Sequence, residues 1–182
     1  MLLLVMNAIL LSHLWQRGED MIRIDLMRKP LAILLILLSA GCISLGAKFQ
    51  PVKITDQSKA MVIFYRPGDL CNITDPFYVS ANEVDVAALG NDAYTSVTAK
   101  PGSYSIAIKN IVTRFTKYNQ GKAQFDFKAG KIYYIKYHRI CKLFGPDINF
   151  VDQIEEAVAY EELLKMGYTK PIIDSLSNPN RY

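Results

Sequence analysis

Residues 103–108, Ser-Tyr-Ser-Ile-Ala-Ile, alternate strictly: Tyr104, Ile106 and Ile108 fall on one side of an extended chain, Ser103, Ser105 and Ala107 on the other. Side chains of a strand point to opposite faces with a period of two, so this segment can dry one face and wet the other. Such a segment is stable only inside a sheet, and the flanking sequence supplies the remaining strands. Residues 60–65 (Ala-Met-Val-Ile-Phe-Tyr) form a short β-branched and aromatic run, stopped by Arg66-Pro67-Gly68-Asp69. Residues 77–81 and 84–89 read as two strands around Asn82-Glu83, with Val84, Val86 and Ala88 alternating with Asp85 and Ala87. Residues 94–99 add another before Lys100-Pro101-Gly102-Ser103, where Pro fixes φ and Gly accepts a positive one.

Beyond the alternating strand, residues 110–122 are mixed and are expected to form an edge strand or a long hairpin arm. Phe125 and Phe127 alternate with polar neighbours, Ala129-Gly130 turns the chain, and residues 131–140 are long enough to run through the middle of a sheet. Gly145-Pro146-Asp147 breaks the chain before a last long strand, 148–154. The period then changes. Ala157, Tyr160, Glu161 and Leu164 recur at helical spacing across 155–166, with acids in the first turn and Gly167 past the end as a C-cap. The tail 168–182, rich in Pro, Ser and Asn, is expected to be flexible. Short strands at spacings of about 8 to 12 residues with turn residues between them predict a mainly β fold, an antiparallel β-sandwich or small barrel, whose one C-terminal helix covers one face. The β-rich domain is expected over 60–167.

The N-terminal third is of another kind. Arg28 and Lys29 precede an apolar run over 31–38, and the small residues Ser39, Ala40 and Gly41 lead to Cys42. Basic, apolar and small parts in that order are the layout of a secretory signal, and the run is too short for a span of roughly 20 apolar residues. The stretch resembles the lipobox of bacterial lipoproteins, with Ser39 standing where an apolar residue is usual. That resemblance implies acylation of Cys42, palmitate included, and a lipid-anchored protein of the bacterial envelope. Ile43 and Ser44 carry no acidic retention signal, so the outer membrane is favoured over the inner one. Residues 1–41 are thus expected to be a signal sequence, with the true start at Met21 or Met27, and 42–59 a lipidated tether.

Removing 1–41 takes four bases and three acids from a chain of net charge +4 and leaves +3, too mild a balance to argue for nucleic acid. With Cys42 acylated, Cys71 and Cys141 remain in an oxidising compartment, and an even remainder predicts a disulfide between them. His138 is the one histidine past the signal; it lacks a sequence neighbour suited to general-base work, and no usual metal-ligand set is present. There is no phosphate loop, nucleophile elbow or dinucleotide turn. The expectation is therefore a protein that is not an enzyme and needs no cofactor or metal. Its membrane contact is through the lipid on Cys42, and its partner is another envelope protein. The alternative is a binding module for glycan or anionic lipid headgroups, formed where bases interleave with aromatics: Arg114, Phe115, Tyr118, Tyr133, Tyr137 and Arg139.

Three motifs in order carry a further likeness: the strand ending in Tyr65-Arg66-Pro67, the Lys100-Pro101-Gly102-Ser103-Tyr104 turn, and Ala129-Gly130-Lys131-Ile132-Tyr133-Tyr134. Across residues 60–164 the chain resembles a family of small bacterial lipoproteins that carry a domain of unknown function. The resemblance implies a β-rich extracytoplasmic domain and transfers no catalytic residue.

Overall fold

The computed structural model describes residues 46–69, 75–113, 121–142, 144 and 147–177. The signal, Cys42, Cys71, Arg114, Phe115 and Tyr118 lie outside the described residues.

Two sheets face each other. The first contains β1 (Ala60–Arg66), β4 (Ala93–Ala99), β7 (Ile132–Ile140) and β8 (Ile148–Ile154), with the two-residue strands β9 (Gly167–Tyr168) and β10 (Ser175–Leu176) on its β4 edge. The second is β2 (Phe77–Ala81), β3 (Val84–Leu89), β5 (Gly102–Lys109) and β6 (Gly121–Phe127), antiparallel throughout in the order β3-β2-β5-β6. The predicted sandwich is thus the fold found. Its centre differs in one respect: β1 runs antiparallel to β4 but parallel to β7, pairing Met61 with Ile132 and Tyr65 with Lys136. The long excursion through the second sheet between β1 and β7 is what allows a parallel pairing, which no hairpin can make.

Period-two burial sets the layers. In β1, Val62 and Phe64 join Phe77, Val79, Leu89, Tyr104, Ile106, Ile108 and Phe127 in the core between the sheets. Ile63 and Tyr65 point the other way, into a second cluster with Tyr94, Tyr134 and the helix α1 (Glu156–Leu163). Because both faces of β1 are covered, it reads as a continuous apolar run rather than an alternating one. The helix lies over the outer face of the first sheet, as its position at the end of the chain predicts. It is shorter than the expected 155–166, and Gly167 does not cap it: the C-cap is Leu164 in the right-handed region, while Gly167 opens β9 and donates its N–H to Asp92 O at 3.0 Å.

The turns follow the sequence. Asn82 and Glu83 both take positive φ (47° and 69°), which a two-residue hairpin needs to match strand twist. Gly130, at φ 68°, stands where an added Cβ would press on the Gln57 side chain. Residues 111–113, expected in a strand or hairpin arm over 110–122, form a turn closed by Asn110–Thr113 hydrogen bonds, while Gly121 and Lys122 belong to β6.

Both described flanks of the domain depart from expectation. The stretch taken as a tether is docked from Ala47 onward: Ala47 O accepts from Tyr168 N–H at 2.8 Å, Lys48 bridges Gly167, and Phe49 is buried edge-on against Tyr94 and Tyr160. The tail taken as flexible is a strap through residue 177. β9 pairs with one end of β4 and β10 with the other, while Ile172 N–H between them reaches across to Val86 O of β3 at 2.7 Å. That strap joins the two sheets along one open side; on the opposite side Gly121 of β6 sits against Val151 and Asn149 of β8. Among the described residues no helix is long and apolar enough to cross a membrane.

Candidate functional site

Charge gathers inside the sandwich at one end. Arg66 follows Phe64 in the core-facing register of β1 and is fully buried. Its guanidinium donates from Nη1 to Asp75 O at 2.9 Å and from Nη2 to Asp69 Oδ2 at 3.2 Å, and lies 4.6 Å above the Phe77 ring. Arg139, from the end of β7, reaches the same carboxylate: its Nη2 donates to Asp69 Oδ1 at 2.8 Å, and its Nη1 stands 3.5 Å from Asp147 Oδ2. It too lies over Phe77, at 5.3 Å. One carboxylate therefore clamps two arginines that share one ring.

Local structure places Asp69 for this task. Pro67 and Gly68 end β1, Gly68 N–H donates to Asp92 Oδ1 at 2.7 Å, and a Cβ at Gly68 would collide with that carboxylate. Asn91 then brackets the Asp69 backbone, accepting from its N–H at 2.9 Å and donating to its carbonyl at 3.1 Å. Burial pushes the Asp69 carboxyl up, but the Arg139 hydrogen bond and the two guanidinium charges outweigh it and leave it below the ordinary carboxylate value. Burial lowers Arg66, against the pull of Asp69.

The outer face of the first sheet carries a second polar set. Tyr65 Oη donates to Glu162 Oε2 at 2.9 Å, Lys136 Nζ pairs with Glu162 Oε1, and Tyr134 Oη donates to Glu156 Oε1 at 3.1 Å. These bonds fasten α1 to the sheet. Burial, reinforced by the neighbouring carboxylates, raises both phenols, Tyr65 strongly and Tyr134 to about 12, so both stay protonated donors.

Tyr133 and Tyr137 stand on the sandwich side of β7 with Arg139. Tyr133 packs on Phe127 with ring centroids 4.9 Å apart and accepts from Lys128 N–H at 2.9 Å. Tyr137 is 2% exposed, donates to Asn149 Oδ1 at 2.8 Å, and is pushed up to about 12, first by burial. The interleaving of bases and aromatics that suggested a ligand-binding surface is, over β7, the alternation of a strand covered on both faces: Tyr137 and Arg139 are held inside, and the exposed patch expected of them does not form. The tightest polar cluster, Arg66 with Asp69, is hidden in the sequence because Arg66-Pro67-Gly68-Asp69 reads as a turn. An arginine in the inward register of an apolar strand was the available signal.

The expected disulfide is corrected. Among the described residues there is no Sγ–Sγ contact, since Cys141 is the one cysteine they contain and Cys71 lies outside them. His138 stacks on Phe150 at 4.8 Å and its Nδ1 is 3.7 Å from Asp152 Oδ2, beyond hydrogen-bond reach. A cavity of about 240 Å³ lies at the far end of the sandwich among Asn82, Val84, Tyr104, Ile173 and Leu176, and His138 does not line it. Among the described residues no group of three or more His, Cys, Asp or Glu is placed to hold a metal ion.

This domain, with its buried clamp and helix-covered sheet, has no match among curated proteins. A family model for a protein of unknown function (DUF2846) matches residues 56–149, just over half of the chain, from the turn before β1 to the start of β8. Both arginines, Asp69 and Phe77 fall inside that span, α1 and the strap outside it. By this match the chain belongs to the DUF2846 family, a β-rich domain of unknown molecular function.

Proposed function

We propose that this chain is a lipid-anchored protein of the bacterial cell envelope whose β-rich domain is a non-enzymatic module for contact with another envelope component. The reading is carried by one juxtaposition: the lipobox-like stretch ends at Cys42, and the folded domain is already docked at Ala47 and Phe49. An acylated Cys42 would hold the domain within a few residues of the bilayer, and two or more chains suffice for a stable anchor. The domain's buried ionic groups pair with one another, which supports a scaffold. The glycan or headgroup reading finds no support in Tyr137 and Arg139, whose polar atoms face internal partners. Outer-membrane placement remains part of the proposal.

Growth on a labelled fatty acid tests the anchor: the intact chain takes up label and the Cys42→Ser chain does not. Equal labelling, or none in either, would overturn it. In-cell crosslinking of the labelled protein followed by mass spectrometry is expected to recover another envelope protein; recovery of glycan alone would favour the alternative.

A further inference from the structure

The end of the sandwich that holds the Arg66–Asp69–Arg139 clamp is also the end at which Ala47, five positions after Cys42 in the sequence, is docked. Arg66 at the close of β1 contacts Asp75 ahead of β2 and Leu89 at the close of β3, which fixes how the two sheets align. On that alignment the turn after β5, the close of β7, the start of β8 and the Gly167–Ala93 pairing beside Ala47 all lie at one end.

Five of the nine large apolar side chains exposed among the described residues are there: Ile111, Val112, Ile140, Phe144 and Ile148. Phe144 is 91% exposed and Val112 76%. The opposite end presents Glu83, Lys100 and Lys128 at its turns, with Val84 as its exposed apolar side chain. Apolar tips concentrated on one end of a domain mark a surface meant to be covered.

We infer that this end rests on the membrane and inserts its apolar tips among the lipid headgroups. Three observations select a bilayer over a protein partner. Four residues separate Cys42 from Ala47, so the anchor point, five Cα steps away, lies within about 18 Å of the docked chain. The first sheet is about 19 Å wide from β9 to β8 at the usual strand spacing, so a lipid on Cys42 and the tips near β8 can share one plane. Finally, the acids here are engaged by neighbouring donors: Asp69 by the two arginines, Asp92 by Gly68 N–H, and Asp147 by Arg139 and Lys142 N–H. Among the described residues Lys48 and Lys142 stay exposed, with Asp75 and the paired Asp147 as the exposed acids beside them, so an anionic surface is not repelled. The inference deepens the proposed anchoring and rests on it for the direction in which the domain hangs.

The one tryptophan, Trp15, precedes Cys42, so a tryptophan placed in the domain of the processed chain is a lone reporter. Phe144→Trp and Val84→Trp, made in the lipidated chain and reconstituted into phosphatidylethanolamine–phosphatidylglycerol vesicles containing brominated lipid, compare the two ends. Emission at position 144 is expected to be quenched at least about twofold more than at 84, as an interfacially buried ring requires. Equal quenching overturns the inference. If no fatty acid is incorporated at Cys42, the anchor fails, and the same pair in the Cys42→Ser chain that also carries Trp15→Phe, added to the same vesicles, still reads the face. Quenching confined to 144 then sustains it, and quenching at neither position or both overturns it.

Discussion

Arg66 shows how much one side chain can be made to hold. A buried guanidinium is stable only when its charge is answered, and here a carboxylate and two carbonyls take its Nη donors while an aromatic face lies beneath it. Arg66→Met removes the charge and leaves Asp69 and the Asp75 carbonyl short of a partner. The expected loss is about 3 to 5 kcal/mol, read by urea unfolding, because breaking one side of a buried pair strands the other. Arg66→Lys is not expected to recover it, since an ammonium cannot reproduce the planar fork. An unchanged midpoint would show that the clamp is inert. Asp69 adds a pH signature. Its folded carboxyl is depressed below 3.8, so its contribution is fully present above that value and is lost as pH falls through the lower folded one. The acid limb of stability is therefore expected to be shallower in Asp69→Asn than in the parent below about pH 4, when both are followed by circular dichroism. Parallel acid limbs would remove Asp69 from the account.

At the scale of elements, α1 is the least self-sufficient piece. It is eight residues long, has no side-chain N-cap bond, and buries only Ala159 and Leu163 of its own span; helices this short do not persist alone in water. Its place over β1 and β7 depends on the bonds of Glu162 and Glu156 with Tyr65, Lys136 and Tyr134. Tyr65→Phe is expected to cost about 1 kcal/mol, and a double-mutant cycle with Glu162→Gln should show coupling, because the two share one hydrogen bond. Additive effects would mean the helix is held by packing alone. The strap is the other dependent element. Its bonds Thr98 N–H to Asp174 O and Lys100 N–H to Leu176 O, both at 3.1 Å, predict slow hydrogen exchange at Thr98 and Lys100. Removing residues 171–177 should raise exchange there to the rate of an exposed edge strand, and unchanged rates would show that the strap does not cover that edge.

Over the whole molecule, the sequence by itself determined the strands, their turns and the class of fold. Alternation at Tyr104, Ile106 and Ile108, the apolar run of β1 and the Asn82-Glu83 and Ala129-Gly130 turns are local: a side chain's period and a residue's tolerated φ need no distant partner to be read. Only the tertiary structure decided that β1 lies parallel to β7, that residues 47–59 and 169–177 belong to the fold, and that Arg66 and Arg139 meet on one carboxylate. Those outcomes depend on residues 70 or more positions apart, such as Arg139 and Asp69, or Ile172 and Val86. The letters around each strand specify which faces must be dry; which strand comes to cover a given face is settled by the free energy of the assembled sheets, where burial in the shared core outweighs what any single segment prefers.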